Sequence, residues 1–282
     1  MTTTAETVAL GDVDQYVVRV GAGKPLLICG GPQLGHTYMR RLDVLADAYG
    51  LIYFDARGTG RTALGDPSKL TFAGGVADLE MLRVGLGIER LVILGHSLGG
   101  HLAYLYASRY PESVDALVLV DVGPPFADDQ RLELHRAMTT SRTPEDDARL
   151  AQIQASAAFA QREPKVVEEF ILNIYSPFFR DRRSLGTIDF GFTEITAANV
   201  LDYEDRLVAS LASEDPPARL AAIRCPTLVM HGEIDPIPAA FGRLLADAIP
   251  NAQFAMLTGS SHFPFIEDAD AFARSVRTFL SG

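Results

Sequence analysis

The chain has 282 residues, of which 48% are hydrophobic and 22% are charged, a composition typical of a globular domain with a sizeable core. Its formal net charge of −11 argues against nucleic acid or an anionic membrane surface as a partner held by bulk electrostatics. The two cysteines, Cys29 and Cys225, lie far apart in the sequence, which argues against a disulfide framework and a cysteine-based metal site.

The start of the chain and its hydropathy pattern predict neither a targeting segment nor a membrane segment. Residues 1–6 contain no basic stretch and no apolar stretch of the kind that forms a secretory signal peptide. Apolar runs elsewhere are too short to span a bilayer. We therefore expect a soluble, cytoplasmic protein without nucleic-acid or membrane partners, and the oligomeric state stays open.

Short apolar runs separated by helical patterns indicate an α/β fold. The alternation over Val13–Val20 predicts an edge strand, and the turn at Gly21–Pro25 leads into the next strand. Further strands are predicted at Leu26–Cys29, Leu51–Phe54, Leu91–Leu94, Leu117–Val120, Thr227–Met230 and Phe254–Leu257. Helical patterns over Tyr38–Tyr49, Gly75–Leu86 and Leu98–Arg109 separate the earlier runs. The alternation predicts a mostly parallel, eight-stranded sheet with helices on both faces.

One long interval interrupts this alternation. The segment between Asp121 and Thr227 is far longer than the roughly 30 residues that a single crossover needs. Amphipathic helical patterns fill it, over Asp128–Met138, Pro144–Ala160, Pro164–Tyr175 and Tyr203–Ala212. We expect a core domain formed by residues 1–123 and 218–282, with a helical cap inserted at 124–217. Five phenylalanines of this interval are candidates for an apolar cap lining or for ordinary core packing: Phe126, Phe178, Phe179, Phe190 and Phe192.

The pentapeptide Gly95–Gly99 lies between a predicted strand and a predicted helix. A Gly-x-Ser-x-Gly sequence at such a junction is typical of a nucleophile elbow, a tight turn that exposes the serine hydroxyl above the sheet. Ser97 is therefore the candidate nucleophile. Because a serine needs a base and an anion-stabilising site to react, both should be present elsewhere in the chain.

His262 is the candidate base among the six histidines of the chain. It lies in the small-residue loop 258–264 after the last predicted strand, where a side chain can reach the carboxyl edge of the sheet. His96 and His101 flank the elbow and are expected to pack beside it. For the acid that orients the base, Asp235 is favoured because the order Ser, Asp, His matches that of the nucleophile-elbow hydrolases. Asp121, at the end of a predicted strand, is the alternative.

The oxyanion of an acyl-transfer reaction needs two hydrogen-bond donors. One is predicted to be the amide of Leu98, which follows the nucleophile, and the other comes from the loop 29–35 after an earlier strand. Gly31 is the candidate there, because glycine lets the backbone approach a substrate closely.

With these motifs assembled, the chain resembles the α/β-hydrolase superfamily and, within it, the prolyl iminopeptidase-like (serine peptidase S33-type) branch. Four segments carry the resemblance: residues 29–33, 55–62, 95–100 and 262–268. The resemblance implies Ser97 as nucleophile, His262 as general base and then acid, and Asp235 as the residue that orients the histidine. It also implies a helical cap and a reaction without cofactor or metal.

The chain departs from that branch at several positions. Cys29 and Gln33 replace the first histidine and the last glycine of the branch's His-Gly-Gly-Pro-Gly motif, and Leu98 replaces a frequent tryptophan. Pro236 stands where the branch commonly has a carboxylate that holds the substrate's amino terminus. Residues of a candidate substrate pocket are Gln33, Glu194, Glu204 and Phe263, of which the two glutamates are the candidates for binding an ammonium group.

Three hypotheses for function follow. The leading one is a cofactor-free serine hydrolase that cleaves a carboxylic ester, lactone or amide of a small molecule through an acyl-enzyme. The alternative is a prolyl iminopeptidase, an aminopeptidase that releases N-terminal proline. The third is a non-catalytic ligand receptor of the same fold, which the presence of all three catalytic residue types disfavours.

Overall fold

The architecture is that of an eight-stranded sheet in a computed structural model that describes residues 2–123 and 128–282. The strands are β1 (Thr3–Ala9), β2 (Asp14–Val20), β3 (Lys24–Cys29), β4 (Tyr49–Phe54), β5 (Leu91–His96), β6 (Val114–Val120), β7 (Thr227–Gly232) and β8 (Ala252–Leu257). Their order in the sheet is β1-β2-β4-β3-β5-β6-β7-β8. All pairs from β4 to β8 are parallel, which confirms the mostly parallel sheet.

The amino-terminal edge differs from the prediction. β1 pairs antiparallel with β2, and β2 pairs antiparallel with β4, so β2 is an inner strand rather than the edge. Only Val8 is buried among the residues of β1. The strand therefore lacks the apolar alternation by which a strand is recognised in a sequence.

Helices cover both faces of the sheet. Helix α1 (Phe72–Gly85) precedes β5, and helix α2 (Leu98–Arg109) begins directly after Ser97. The predicted helix over Tyr38–Tyr49 is instead a 3₁₀ helix over His36–Leu45, and Tyr49 already belongs to β4. Leu42 and Leu45 of the 3₁₀ helix are buried on one face of the sheet, whereas α1 and α2 bury apolar side chains on the other.

Among the described residues between β6 and β7 are six α-helices: α3 (Asp128–Thr140), α4 (Pro144–Gln154), α5 (Ala157–Ala160), α6 (Pro164–Tyr175), α7 (Glu194–Leu211) and α8 (Pro216–Ala221). Three short 3₁₀ helices accompany them, over Ser176–Phe178, Arg182–Thr187 and Ala212–Glu214. The single helix predicted over Pro144–Ala160 is two helices, because the Ser156 side chain accepts a hydrogen bond from the Phe159 amide and starts the second one. α7 begins well before the predicted Tyr203. The boundaries at residues 124 and 217 stay a prediction, and Phe126 lies outside the described residues.

The chain after β7 forms α9 (Ala239–Ala248), α10 (Pro264–Glu267) and α11 (Ala269–Ser281). Phe272 and Val276 of α11 are buried on the same side of the sheet as the 3₁₀ helix 36–45. Within the two described ranges, no helix combines the length and the apolar character that crossing a membrane requires.

Hydrogen bonds join the helical segment after β6 to the loops at the carboxyl edge of the sheet. The His262 amide donates to the Phe178 carbonyl at 3.1 Å, and the Gly35 amide donates to the Phe190 carbonyl at 3.2 Å. The Gly60 amide donates to the Thr196 side chain of α7 at 2.9 Å. These contacts place the helical segment over the edge where the candidate catalytic residues lie.

Candidate active site

Ser97 occupies a strained turn between β5 and α2. Its backbone angles are φ 54° and ψ −125°, a conformation that a non-glycine residue rarely adopts. The Ser97 amide donates to the Val120 carbonyl of β6 at 2.9 Å, which anchors the turn to the neighbouring strand. A Cβ on Gly99 would lie 2.2 Å from the Cys29 carbonyl oxygen, so only glycine fits there. The geometry is that of a nucleophile elbow.

Asp235 and His262 meet although they follow different strands. The Asp235 turn comes after β7 and the His262 loop after β8, and His262 Nδ1 lies 2.8 Å from Asp235 Oδ2. A carboxylate oxygen accepts hydrogen bonds, so Nδ1 is the donor in this bond. The Ile237 amide donates to Asp235 Oδ1 at 2.9 Å and fixes the other carboxylate oxygen. Both side chains of the pair are buried.

Asp121, the alternative acid, has a different partner. Its Oδ1 accepts a hydrogen bond of 2.7 Å from the Gly232 amide at the end of β7. Burial and the nearby Asp235 carboxylate raise the pKa of Asp121 well above its ordinary value, which favours the neutral acid. Of the two candidates, Asp235 is therefore the one bonded to His262.

His231 lies behind this pair. Its Nε2–H donates to the Ile237 carbonyl at 2.8 Å, and burial lowers the pKa of His231. Side-chain atoms of Asp121, His231 and Asp235 lie within 4.8 Å of one another, a spacing that a metal ion could use. One member of this cluster, Asp235, also bonds the His262 imidazole.

The two amides predicted to bind an oxyanion are in different situations. Leu98 is the first residue of α2, where an amide has no partner within its own helix. The Gly31 amide instead donates a hydrogen bond of 2.6 Å to the Tyr38 hydroxyl. The role of both amides in catalysis stays a prediction.

Gln33 and Phe263, two residues of the predicted pocket, lie among aromatic side chains at this edge. Gln33 Nε2 donates to the Tyr175 hydroxyl at 2.8 Å, while its buried Oε1 has no partner among the residues that the structure describes. The Phe263 ring stacks on Phe179 with a centroid separation of 4.3 Å. The Phe178 ring lies 5.0 Å from the His262 ring. The surroundings of the base are therefore apolar and aromatic.

Of the two candidate ammonium-binding glutamates, Glu194 makes no contact with Asp235 or His262 among the described residues. Glu194 is exposed in the first turn of α7, where a carboxylate interacts favourably with the helix dipole. The Glu204 side chain lies outside the described part of the structure. The prediction that they bind an amino terminus gains no support from this arrangement.

Sequence reasoning missed Tyr38, Arg180 and Glu267, and it treated His96 as packing only. Each of these side chains hydrogen-bonds the loops that carry the candidate catalytic groups. Their partners are distant in sequence, so no local pattern marks them. The segment 262–268 ends in two acidic residues after an apolar run, and the first of them, Glu267, was the one available signal.

Comparisons with known proteins agree with this geometry. A profile of the alpha/beta hydrolase fold matches residues 24–269. The proline iminopeptidase of Lactiplantibacillus plantarum is 27% identical over 274 residues, which covers 91% of this chain and 91% of that protein.

Two solved structures illustrate the likeness of the fold. The proline iminopeptidase of Mycobacterium smegmatis has a TM-score of 0.70 and 22% identity, and the match covers 99% of this chain and 98% of that one. The esterase EaEST of Exiguobacterium antarcticum has a TM-score of 0.73 and 17% identity, with 99% and 100% coverage. The predicted fold, its resemblance to the prolyl iminopeptidase-like branch and the expectation of a hydrolytic enzyme are confirmed. The chain belongs to the alpha/beta hydrolase fold family.

Proposed function

We propose that this protein is a cofactor-free serine hydrolase that cleaves a carboxylic ester, lactone or amide of a small molecule through an acyl-enzyme. The observation that carries the proposal is the 2.8 Å hydrogen bond between His262 Nδ1 and Asp235 Oδ2, at the sheet edge where the elbow exposes Ser97. An imidazole held by a carboxylate, at the sheet edge that also carries a strained serine, fits the arrangement that activates a hydroxyl as a nucleophile.

In the proposed reaction Ser97 Oγ attacks the substrate carbonyl while His262 Nε2 takes the hydroxyl proton. The Asp235 carboxylate keeps His262 in the required tautomer and stabilises the imidazolium that forms. The Leu98 amide and an amide of the loop 29–35 stabilise the negative charge on the carbonyl oxygen. The imidazolium then protonates the leaving group, which departs and leaves an acyl-Ser97 ester. A water molecule, deprotonated by His262, hydrolyses this ester and restores the serine.

The substrate is proposed to be small and partly apolar. Phe178, Phe179 and Phe263 surround the base, and the Gln33 amide adds a polar group near the loop after β3. The two cysteines are buried free thiols, which suits the reducing cytoplasm proposed as the site of action.

The test compares wild type with Ser97→Ala on an activated aryl ester. We expect the turnover of Ser97→Ala to fall by at least about 10³-fold, because the nucleophile is lost. Ser108→Ala is the matched control, since Ser108 lies in α2, the helix that follows Ser97, and its hydroxyl donates to the Leu105 carbonyl. A fluorophosphonate should label the wild type and the control but not Ser97→Ala. Undiminished turnover in Ser97→Ala would end the proposal.

A prolyl iminopeptidase is the second candidate, because a proline iminopeptidase shares 27% identity across 91% of this chain. Against this candidate, Pro236 stands where the branch commonly has a carboxylate for the substrate's ammonium group, and Glu194 is exposed. The discriminating experiment measures kcat/KM for prolyl arylamide, its N-acetylated form and a simple aryl ester. A strong preference for the free amine would replace the leading proposal with the peptidase.

A further inference from the structure

Four buried groups form a continuous hydrogen-bond chain beneath the candidate active site. The Gly31 amide lies 2.6 Å from the Tyr38 hydroxyl, and that hydroxyl lies 3.2 Å from His96 Nδ1. His96 Nε2 lies 2.8 Å from the backbone carbonyl oxygen of His262. This chain connects the loop after β3, the residue before the nucleophile and the loop that carries the base.

The direction of every bond in this chain is determined by its ends. The His262 carbonyl can only accept, so His96 Nε2 must carry the proton and donate it. Burial lowers the pKa of His96 and keeps the ring neutral, which leaves a lone pair on Nδ1. The Tyr38 hydroxyl therefore donates to Nδ1, and its oxygen accepts from the Gly31 amide. Each donor meets an acceptor, as buried polar groups require.

Aromatic packing holds the two side chains in place. The Tyr38 ring stacks on Phe190 with a centroid separation of 5.7 Å, and the His96 ring lies 4.8 Å from the His262 ring. Both side chains are almost completely buried, at 2% and 1% exposure. Neither ring can therefore turn away from its partners without opening the core.

We infer that Tyr38 and His96 are positioning residues for the acyl transfer, which fix the loop after β3 and the backbone of His262 relative to Ser97. The inference rests on the proposed function and adds two residues that touch neither substrate nor reacting atoms. Because acyl transfer is sensitive to displacements of about 1 Å, losing one link should slow the chemical step more than it weakens substrate binding.

Tyr38→Phe is the first test, because it keeps the ring and removes only the hydroxyl. We expect kcat to fall about 10- to 100-fold with KM changed by less than about 3-fold. The rate of Ser97 labelling by a fluorophosphonate should fall in parallel. Tyr53→Phe is the matched control. Tyr53 is also fully buried, but its hydroxyl donates to Asp43, which does not belong to the hydrogen-bond chain from Gly31 to His262.

Two substitutions at His96 separate the hydrogen bonds made by the two ring nitrogens. The amide of Asn reaches the position of His Nδ1, and the amide of Gln reaches that of Nε2. His96→Asn keeps an acceptor for Tyr38 and loses the donor to the His262 carbonyl, whereas His96→Gln does the reverse. Each should retain more activity than His96→Leu, which loses both hydrogen bonds at similar volume. Equal activity of all three variants and wild type would overturn the inference.

A measurement on the unmodified protein does not depend on the stability of variants. NMR of protein labelled with ¹⁵N-histidine should show His96 as the neutral Nε2–H tautomer, and the Nδ1–H tautomer would contradict the chain. An unchanged or increased rate of fluorophosphonate labelling in Tyr38→Phe would also overturn the inference. An increase would mean that the Tyr38 hydroxyl occupies the Gly31 amide that the reaction needs as an oxyanion donor. Those outcomes leave wild-type hydrolysis intact, whereas an inactive, unlabelled wild type removes the proposed function and the inference together.

Discussion

Asp121 and Asp235 bring two carboxyl groups into one buried cluster, yet each has its own partner. Asp121 Oδ1 accepts from the Gly232 amide at 2.7 Å, and Asp235 Oδ2 bonds His262 Nδ1 at 2.8 Å. Two charges so close together in a buried site repel each other, so one carboxyl holds its proton. Burial and Asp235 raise the pKa of Asp121, which identifies it as the neutral member. Asp235 is the carboxyl group that bonds the histidine.

The raised pKa of Asp121 predicts how its contribution to stability changes with pH. In the unfolded chain this carboxyl ionises in the ordinary range, while in the folded protein it stays protonated to higher pH. The folded state then binds more protons, so stability falls as the pH rises through that interval, by at most about 1.4 kcal/mol per pH unit. Asp121→Asn imitates the neutral acid and does not titrate. We expect the stability of Asp121→Asn relative to wild type to rise as the pH increases above the ordinary titration range of a carboxyl group.

Chemical unfolding of both proteins at several pH values checks this expectation. The control is Asp14→Asn, the same change of side chain at an exposed position of β2. A stability difference between wild type and Asp121→Asn that shrinks as the pH rises would mean that Asp121 is ionised in the folded protein.

A second prediction concerns activity and uses the same pair of carboxyls. Asp235→Asn offers an amide where His262 needs an acceptor, so the imidazole loses its orientation and the correct tautomer. We expect kcat for an aryl ester to fall by about 10⁴-fold. Asp121→Asn preserves the acceptor for the Gly232 amide and should lower kcat by less than about 10-fold. Reversed effects would assign the orienting role to Asp121.

The sequence was sufficient for the features that depend on local pattern. The elbow at Ser97 and the strands from β3 to β8 are visible because apolar runs and glycine spacing mark them directly. Asp235 and His262 could be placed because loops after parallel strands meet at one edge of the sheet.

Features that depend on tertiary contacts were not predictable in this way. β1 is exposed except at Val8, so it carries no apolar alternation. The hydroxyl of Tyr38 meets His96 across 58 positions of sequence, and neither residue type indicates the other. The Gly31 amide donates a hydrogen bond to the Tyr38 hydroxyl. A prediction based on glycine flexibility alone could not anticipate this partner.

A third prediction concerns Gln33 and the substrate. Its Oε1 is buried without a partner among the described residues, and an unpaired buried acceptor costs about 1–3 kcal/mol. A hydroxyl or N–H of the substrate next to the reacting carbonyl would satisfy it. We expect the aryl ester of lactate to be hydrolysed with higher kcat/KM than that of propionate, which lacks only the hydroxyl.

Gln33→Met keeps the length of the side chain and removes the amide. This substitution should lower kcat/KM for the lactate ester by about 10-fold, which abolishes the preference for that ester. The value of kcat/KM for the propionate ester should stay nearly unchanged. Equal kcat/KM for the two esters in wild type would mean that Oε1 does not face the acyl group.

The last prediction concerns Glu267, which connects the loop that carries His262 to the helical segment between β6 and β7. Glu267 Oε2 accepts from the Ser261 amide at 2.6 Å, and Oε1 accepts from the Arg180 amide at 2.8 Å. The Arg180 guanidinium donates to the Gly259 carbonyl at 3.1 Å and to the Glu267 carbonyl at 3.1 Å. Glu267 therefore holds the residue just before His262, and Arg180 holds Glu267 in turn.

Glu267→Gln removes one of the two acceptor oxygens, because the side-chain amide of glutamine has only one. Either the Ser261 amide or the Arg180 amide then faces an NH₂ group and loses its hydrogen bond. We expect a loss of about 1–3 kcal/mol in the free energy of unfolding and a fall in kcat without a matching rise in KM. Arg180→Met removes the guanidinium but keeps the backbone contact to Glu267, so its effects should be smaller. Glu89→Gln is the control, since this exposed carboxylate precedes β5 at the opposite edge of the sheet. Wild-type kcat in Glu267→Gln at lowered stability would show that the carboxylate supports the fold without positioning His262.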